Sequence, residues 1–209
     1  MRKYNHEYEY ERVRWRKMGY EAPVILDWRK KLPRGSQPVV YRAPGEIAYI
    51  GVHYDGAPPR PAPGYNILAR QIDEANYHIH KNWNTNPKGS PIYGSGLMYH
   101  YIIGGDGTIA QTRDESEILW HICNGNRVCL AVKVDCGQGQ EPTAEQLSSL
   151  NKMLTWLCYH RPDIPADRAH TYGHGECGGQ YGGGPRWGNA TDCPGRLLPY
   201  VRRWRAGSW

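Results

Sequence analysis

The sequence RVCLAVKV, residues 127–134, constrains the fold most strongly, because it is a nearly continuous apolar run. Such a run is typical of a central β-strand that is covered on both faces. A second strand is predicted within residues 46–56, EIAYIGVHYDG, which alternate in polarity and end in turn residues. Its polar terminus is His53. These two segments predict a buried sheet.

Three more segments extend the predicted sheet. Residues 98–103 (MYHYII) and 108–114 (TIAQTRD) predict two strands, and the turn GGDG between them predicts a tight hairpin. A further strand is predicted at residues 166–174, ADRAHTYGH, before a Gly-rich loop. We therefore expect several strands that belong to one sheet.

Two long helices are predicted from apolar residues spaced three and four apart. The first covers residues 65–83. The second begins at the N-cap Thr143, where Gln146 completes a capping box, and it ends at the Arg161-Pro162 pair. A short amphipathic helix at residues 197–205 follows near the end of the sequence. Strands alternating with helices predict an α/β protein with a central mixed β-sheet flanked by helices.

The sequence predicts two parts, an N-terminal basic extension at residues 1–45 and one domain at residues 46–209. The extension contains the basic segment RVRWRK at residues 12–17 and has no sustained apolar period. Over the whole chain, 26 Lys and Arg exceed 20 Asp and Glu by six, and the pI is about 9.0. This balance favours an anionic partner, such as a nucleic acid, a membrane surface or a bacterial wall.

Several classes of protein are excluded by pattern. We expect no nucleic-acid partner, because the sequence has no zinc finger, Arg-rich recognition helix or RNP-like strand. No apolar stretch approaches the roughly 20 residues of a transmembrane helix, so no membrane-spanning segment is predicted. The N-terminus is charged and lacks the apolar core of a secretory signal. We therefore expect synthesis in a cytoplasm without a signal peptide.

Two histidines and a cysteine suggest a metal centre. His53 and His174 lie at the ends of predicted strands, where α/β sheets place functional groups, and Cys193 follows a Gly-rich loop. Two imidazoles and a thiolate form a tetrahedral site with one position left for water, which is typical of catalytic zinc. His170 competes with His174, because it lies four residues earlier in the same predicted strand. The six cysteines form no CxxC pair, so a finger-type zinc site is not expected.

Five ordered segments resemble the zinc N-acetylmuramoyl-L-alanine amidases of the phage lysozyme and peptidoglycan recognition protein type. The segments are IGVHYDG, MYHYIIGGDGTIAQTRDE, WHICNGNRVCLAV, TAEQLSSLNKML and the pair GHGE and TDCPG. They fall within residues 47–195, about three quarters of the chain. The resemblance implies the peptidoglycan recognition protein-like amidase fold and a Zn²⁺ cofactor.

The resemblance implies roles for individual residues. His53, His174 and Cys193 match the zinc ligands, and the Gly-His-Gly-Glu context favours His174 over His170. Tyr99 matches the catalytic tyrosine of the family.

The remaining site residues follow from the same resemblance. Thr191 stands where the phage lysozyme type has a lysine, and its hydroxyl can donate a hydrogen bond to an oxyanion. His121 matches a cleft histidine that contacts substrate, and it is also a candidate proton donor to the leaving amine. Asn126 and Trp187 are predicted substrate contacts, and Tyr181 in the same loop as Trp187 is a further candidate.

The implied substrate is peptidoglycan, cut between N-acetylmuramic acid and L-alanine. We expect a monomeric, bacteriolytic enzyme that acts on the bacterial cell wall, such as a phage endolysin. One alternative is a non-catalytic peptidoglycan-recognition module, although members of that kind lack the cysteine ligand that Cys193 supplies. A second alternative is a Cys–His peptidase, but Cys193 would then follow its histidine, the reverse of the usual order.

Overall fold

The computed structural model describes residues 22–43, 45–56, 65–161 and 167–209. The strands are β1 (Ile25–Asp27), β2 (Tyr49–Tyr54), β3 (Asn84–Thr85), β4 (Pro91–Ile92), β5 (Tyr101–Ile103), β6 (Ile109–Gln111), β7 (Cys129–Val134) and β8 (Thr171–Gly173). The α-helices are α1 (Ile67–His80), α2 (Ala144–Thr155), α3 (His174–Cys177) and α4 (Leu198–Ala206). A π-helical turn (Trp156–His160) extends α2, and 3₁₀ turns cover Cys123–Gly125, Arg168–His170 and Gly195–Leu197.

Six strands form one mixed sheet in the order β1-β6-β5-β7-β2-β8, while β3 and β4 form a separate hairpin. Among the described strands of the large sheet, β5 and β6 are the one antiparallel pair, as the predicted hairpin requires. Strand β7 lies between β5 and β2, and all six of its residues are buried. The prediction of a covered central strand is therefore confirmed.

Helices cover the sheet on both faces. On one face, α1 contributes Ala75 to a cluster with Ile102 of β5 and Ala110 of β6. On the other face, α2 and α4 bury Leu150 and Val201 against the even-numbered residues of β2 and β7. The predicted mixed sheet flanked by helices is confirmed, and the capping box of Thr143 and Gln146 is present. No helix in the described ranges is long and apolar enough to cross a membrane.

Part of the predicted N-terminal extension belongs to the sheet. Strand β1 pairs with β6, and Trp28 and Leu32 are buried in the cluster under α1. Arg42 is buried beside β7, where it donates to the carbonyl oxygen of Cys129. The basic segment at residues 12–17 and the loop at residues 57–64 lie outside the described residues. The domain boundary at residue 45 stays a prediction.

The predicted strand at residues 166–174 is shorter than expected. Of the described residues 167–174, Thr171–Gly173 form the strand, because the Asp167 side chain accepts a hydrogen bond from the backbone of His170 and starts a 3₁₀ turn. His170 therefore lies outside the strand, and the expectation that it belongs to the same strand as His174 is wrong.

Candidate metal centre

Strand register brings the first two candidate ligands together. Val52 of β2 is paired with Gly173 of β8 in a parallel ladder, so the next residues, His53 and His174, lie side by side. Their ring centroids are 4.9 Å apart. Adjacent parallel strands place functional groups at the same edge of the sheet.

Cys193 completes the group from the loop that precedes α4. Its Sγ lies 3.6 Å from Nδ1 of His53, and the donor atoms of His53, His174 and Cys193 all lie within 4.8 Å of one another. Cys193 is almost fully buried and precedes a cis proline. The three residues predicted as ligands are thus brought together.

Two glycines let the cysteine segment approach His174. A Cβ on Gly173 would lie 2.6 Å from Cδ of Pro194, and a Cβ on Gly175 would overlap the carbonyl oxygen of Thr191. The backbone N–H of Gly175 donates to the carbonyl of Cys193 at 2.5 Å. The Gly-His-Gly sequence is therefore required by close packing of two backbones.

Burial controls the ionisation of the three donors. It lowers the pKa of His174 to about 4, and burial together with the neighbouring His174 and His121 lowers the pKa of His53 well below its ordinary value. Both rings are therefore neutral near pH 7 and can offer lone pairs. Burial raises the pKa of the Cys193 thiol, so its thiolate needs a bound cation to form.

His170, the competing histidine, lies elsewhere. Its Nδ1 is 2.5 Å from Asp167, its side chain is about a third exposed at 31%, and its ring packs on the edge of Tyr49. The described structure thus groups His174, rather than His170, with His53 and Cys193.

Two predicted hydroxyl donors lie beside the three predicted ligands. The ring of Tyr99 is 5.2 Å from that of His53, between centroids, and burial raises the pKa of its phenol well above the ordinary value. Tyr99 therefore keeps its proton near neutral pH. The Thr191 hydroxyl oxygen accepts a hydrogen bond from the backbone N–H of Cys193 at 3.2 Å, which places it next to the cysteine.

The predicted substrate contacts are held by the protein itself. Nδ1 of His121 lies 3.0 Å from Nε2 of His53, and its Nε2 lies 3.2 Å from the carbonyl oxygen of Cys129. The side-chain oxygen of Asn126 accepts from the backbone N–H groups of His121 and Ile122. His121 is 6% exposed, so it lies beneath the surface of the site.

The two aromatic candidates in the Gly-rich loop lie at different places. Trp187 is partly buried and packs against Tyr49, at the start of β2, with centroids 4.8 Å apart. It also covers Gly125, where a Cβ would overlap its ring. Tyr181 is exposed, and its hydroxyl donates to the carbonyl oxygen of Asp192. Trp187 thus lies at the opposite end of β2 from His53.

Comparison with known proteins identifies the family. A family model described as N-acetylmuramoyl-L-alanine amidase matches residues 43–196, which is most of the chain. The chain belongs to this amidase family. A search of curated proteins finds no significant match.

Solved structures share the amidase fold. The endolysin N-acetylmuramoyl-L-alanine amidase LysCS from Clostridium intestinale is 19% identical, with a TM-score of 0.59 over 90% of this chain and 97% of that chain. Drosophila peptidoglycan recognition protein SD is 17% identical, with a TM-score of 0.63 over 88% and 94%. Drosophila PGRP-LB is 18% identical, with a TM-score of 0.63 over 87% and 94%. The resemblance inferred from sequence motifs is confirmed for the family and the fold.

Sequence analysis missed a second buried cluster in this amidase-family chain. Lys133 of β7 is completely buried, and its ammonium contacts Glu74, donates to Gln71 at 2.8 Å and lies 3.3 Å from Asp135. Asp55 lies at 3.8 Å. Lys133 is a single lysine within the apolar run of β7, and a buried lysine requires acidic partners. That lysine was the sequence signal for this cluster, but the apolar pattern was interpreted only as a covered strand.

A separate cavity of about 400 Å³ lies at the β1 edge of the sheet. Its lining includes Tyr101 and Trp156, together with Glu115 and Arg161, which form an ion pair at 2.7 Å. None of the described residues that line it is a histidine or a cysteine, and it is distinct from the candidate metal centre. The group around His53 therefore remains the candidate site.

Proposed function

We propose that this chain is a zinc-dependent amidase that hydrolyses the bond between N-acetylmuramic acid and L-alanine of peptidoglycan. The observation that carries the proposal is the convergence of His53, His174 and Cys193, whose donor atoms lie within 4.8 Å of one another. The family match supports amide hydrolysis as the reaction. The net charge of +6 suits an anionic wall polymer.

The donor set fits zinc. Two imidazoles and a thiolate are ligands that zinc prefers, and ligands of a tetrahedral zinc ion lie roughly 3.5 Å apart. The separation of 3.6 Å between His53 Nδ1 and Cys193 Sγ agrees with that spacing. The buried thiol, whose pKa is raised by burial, also becomes a favourable thiolate only beside a cation. When bound, zinc supplies Lewis-acid polarisation of the amide carbonyl and activates water for attack.

Tyr99 and Thr191 are proposed to stabilise the oxyanion. Tyr99 stays protonated because its pKa is raised by burial, so it can donate a hydrogen bond to developing negative charge. Thr191 adds a second hydroxyl next to Cys193. Asn126 and Trp187 stay proposed substrate contacts, although the Asn126 oxygen is already engaged by backbone N–H groups.

A bacteriolytic role of the endolysin kind forms part of the proposal. It is supported by the motifs of the chain and by its likeness to the endolysin LysCS. The alternative, a recognition module that binds peptidoglycan without cutting it, is supported by the likeness to recognition proteins. Cys193 favours the enzyme, because it completes the donor set.

The test is release of new L-alanine N-termini from purified peptidoglycan. We expect release by the zinc-loaded protein, loss after chelation, recovery with zinc and no release by Cys193→Ser. Cys123→Ser is the matched control, because Cys123 is an exposed free cysteine, and it should retain activity.

Three outcomes would contradict the proposal in different ways. Activity that survives chelation would indicate a thiol peptidase. Binding to the wall without new termini would indicate a recognition module. Full activity of Cys193→Ser would remove Cys193 from the donor set.

A further inference from the structure

We propose that His121 and Arg42 position His53 for metal binding by fixing which of its ring nitrogens carries the proton. The inference rests on the proposed zinc site and adds two positioning residues to it. It replaces, for His121, the predicted roles of substrate contact and proton donor.

With both imidazole rings neutral, this series of hydrogen bonds has a single direction. The carbonyl oxygen of Cys129 can only accept, so Nε2 of His121, 3.2 Å away, carries a proton and donates it. In a neutral ring, Nδ1 of His121 is then an acceptor. His53 Nε2 lies 3.0 Å from that acceptor and must donate to it. The lone pair of His53 is therefore left on Nδ1.

That lone pair faces the other ligands. Nδ1 of His53 lies 3.6 Å from Sγ of Cys193, on the side where the three donor atoms meet. Partners of the remaining imidazole N–H commonly set the tautomer and the orientation of metal-binding histidines. The metal-free protein thus already presents the correct nitrogen.

Arg42 fixes the carbonyl group that is the last acceptor in this series of hydrogen bonds. Its side chain is 4% exposed, its Nη1 donates to the same Cys129 carbonyl oxygen at 2.9 Å, and its Nη2 donates to the Glu117 carbonyl oxygen at 2.8 Å. The guanidinium therefore links the Cys129 carbonyl, which accepts from His121, to the backbone at Glu117.

Gly51 leaves room for the contact between the two histidines. It lies two residues before His53 on the same face of β2, and a Cβ there would lie 3.2 Å from His53 Nε2 and 3.2 Å from Cδ1 of Ile122. A separation of that size is tighter than ordinary van der Waals contact. The absence of a side chain at Gly51 therefore keeps Nε2 accessible to His121.

The direct test is the tautomer of His53 in the metal-free wild type, read from long-range ¹H–¹⁵N correlation spectra of the imidazole rings. We expect the proton on Nε2 of both His53 and His121. A proton on Nδ1 of His53 would overturn the inference, and this measurement requires neither a variant nor a substrate.

Zinc affinity, measured by competition with a chelator, gives the second readout. His121→Leu should weaken zinc binding by about 10- to 100-fold, because it removes the acceptor for His53. His121→Gln should lose less, because its amide can both accept from His53 and donate to Cys129. Unchanged zinc affinity in His121→Leu, with a raised KM alone, would assign His121 to the substrate and overturn the inference.

Arg42→Met has a matched control in Arg113→Met. Arg113 is also buried, but it donates to Glu117 and to the carbonyl oxygen of Leu97. Both variants should lose stability, whereas only Arg42→Met should weaken zinc binding, by several-fold. Equal zinc affinity in the two variants would contradict the role of Arg42. Failure of the wild type to cleave peptidoglycan, with these zinc results intact, would overturn the proposed function alone.

Discussion

Two groups of three donor side chains lie near the carboxyl end of β2, and they differ in the charged groups that contact them. The first group consists of His53, His174 and Cys193, and the second consists of Asp55, Glu74 and Asp135. In each group the donor atoms lie within 4.8 Å of one another. The ammonium of Lys133 forms ion pairs with all three carboxylates. Within the described residues, no lysine or arginine forms an ion pair with a member of the first group.

The difference shows that proximity of donors does not by itself define a metal site. Two cations supplied by the protein, Lys133 and the Arg70 that pairs with Asp55, offset much of the carboxylate charge, so we interpret that group as structural. The first group offers neutral imidazoles and a thiol that needs a cation to ionise. Tyr99 lies between the groups, with its ring 5.2 Å from that of His53 and 5.6 Å from the ammonium of Lys133.

The largest effect is expected for His174→Ala. This variant should abolish zinc binding and the release of L-alanine termini, because it removes one of three ligands, while the metal-free protein should unfold much like the wild type. His170→Ala is the matched control and should keep both properties. Zinc binding by His174→Ala, or its loss in His170→Ala, would break the assignment of the first group.

Lys133→Met should act on stability. Removing one partner of a buried ion cluster costs about 3–5 kcal/mol, because Glu74 and Asp135 would lose the cation that they share. Urea unfolding in the presence of a chelator measures the change, and Lys88→Met, at an exposed position, is the control. A loss below about 1 kcal/mol would show that the carboxylates do not depend on Lys133.

Tyr99 lies between the two groups, and Tyr99→Phe tests whether its hydroxyl contributes to turnover rather than to binding. Loss of one oxyanion donor should lower kcat by about 10²-fold, with zinc affinity and peptidoglycan binding nearly unchanged. Steady-state kinetics together with wall pelleting measures both. Activity within twofold of the wild type would remove Tyr99 from the proposed mechanism.

The smallest effect concerns the pH dependence of the second group. Burial and the neighbouring Glu74 and Asp135 raise the pKa of Asp55 from 3.8 to about 7. The folded state therefore holds this proton more tightly than the unfolded state, and the free energy of unfolding falls as pH rises from about 4 to about 7. Asp55→Asn should remove at least about 1 kcal/mol of this fall.

That prediction is checked by urea unfolding of metal-free protein at several pH values. The buried histidines contribute in the opposite sense, because their lowered pKa values make stability fall as pH drops below about 6.5. The difference between wild type and Asp55→Asn is therefore the informative quantity. Parallel pH profiles for the two proteins would contradict the raised pKa of Asp55.

The sheet could be predicted from sequence because its signals are local. The apolar run of β7, the Gly-rich hairpin between β5 and β6, and the capping box at Thr143 each depend on neighbouring residues. Strand β1 could not be predicted, because it has three residues and its pairing with β6 joins Ile25 to Ile109. A hydrophobic periodicity within one segment does not indicate which distant strand that segment pairs with.

The candidate ligands could be proposed from sequence, but their surroundings could not. His53 and His174 follow motifs at strand ends, whereas the partner of His53 comes from His121, 68 residues away. Lys133 is similarly held by Glu74, 59 residues earlier. Such contacts depend on how the elements pack, and they are specified only by the complete fold.

The position of β7 makes some parts of the candidate metal centre more resistant to local opening than others. This strand is paired on both sides and buried throughout, so its amides should be among the slowest to exchange with solvent. His53 lies on the neighbouring β2 and shares that protection, whereas Cys193 follows a largely exposed, glycine-rich loop. Fluctuations of the loop could therefore expose a bound ion to a chelator while the sheet stays intact.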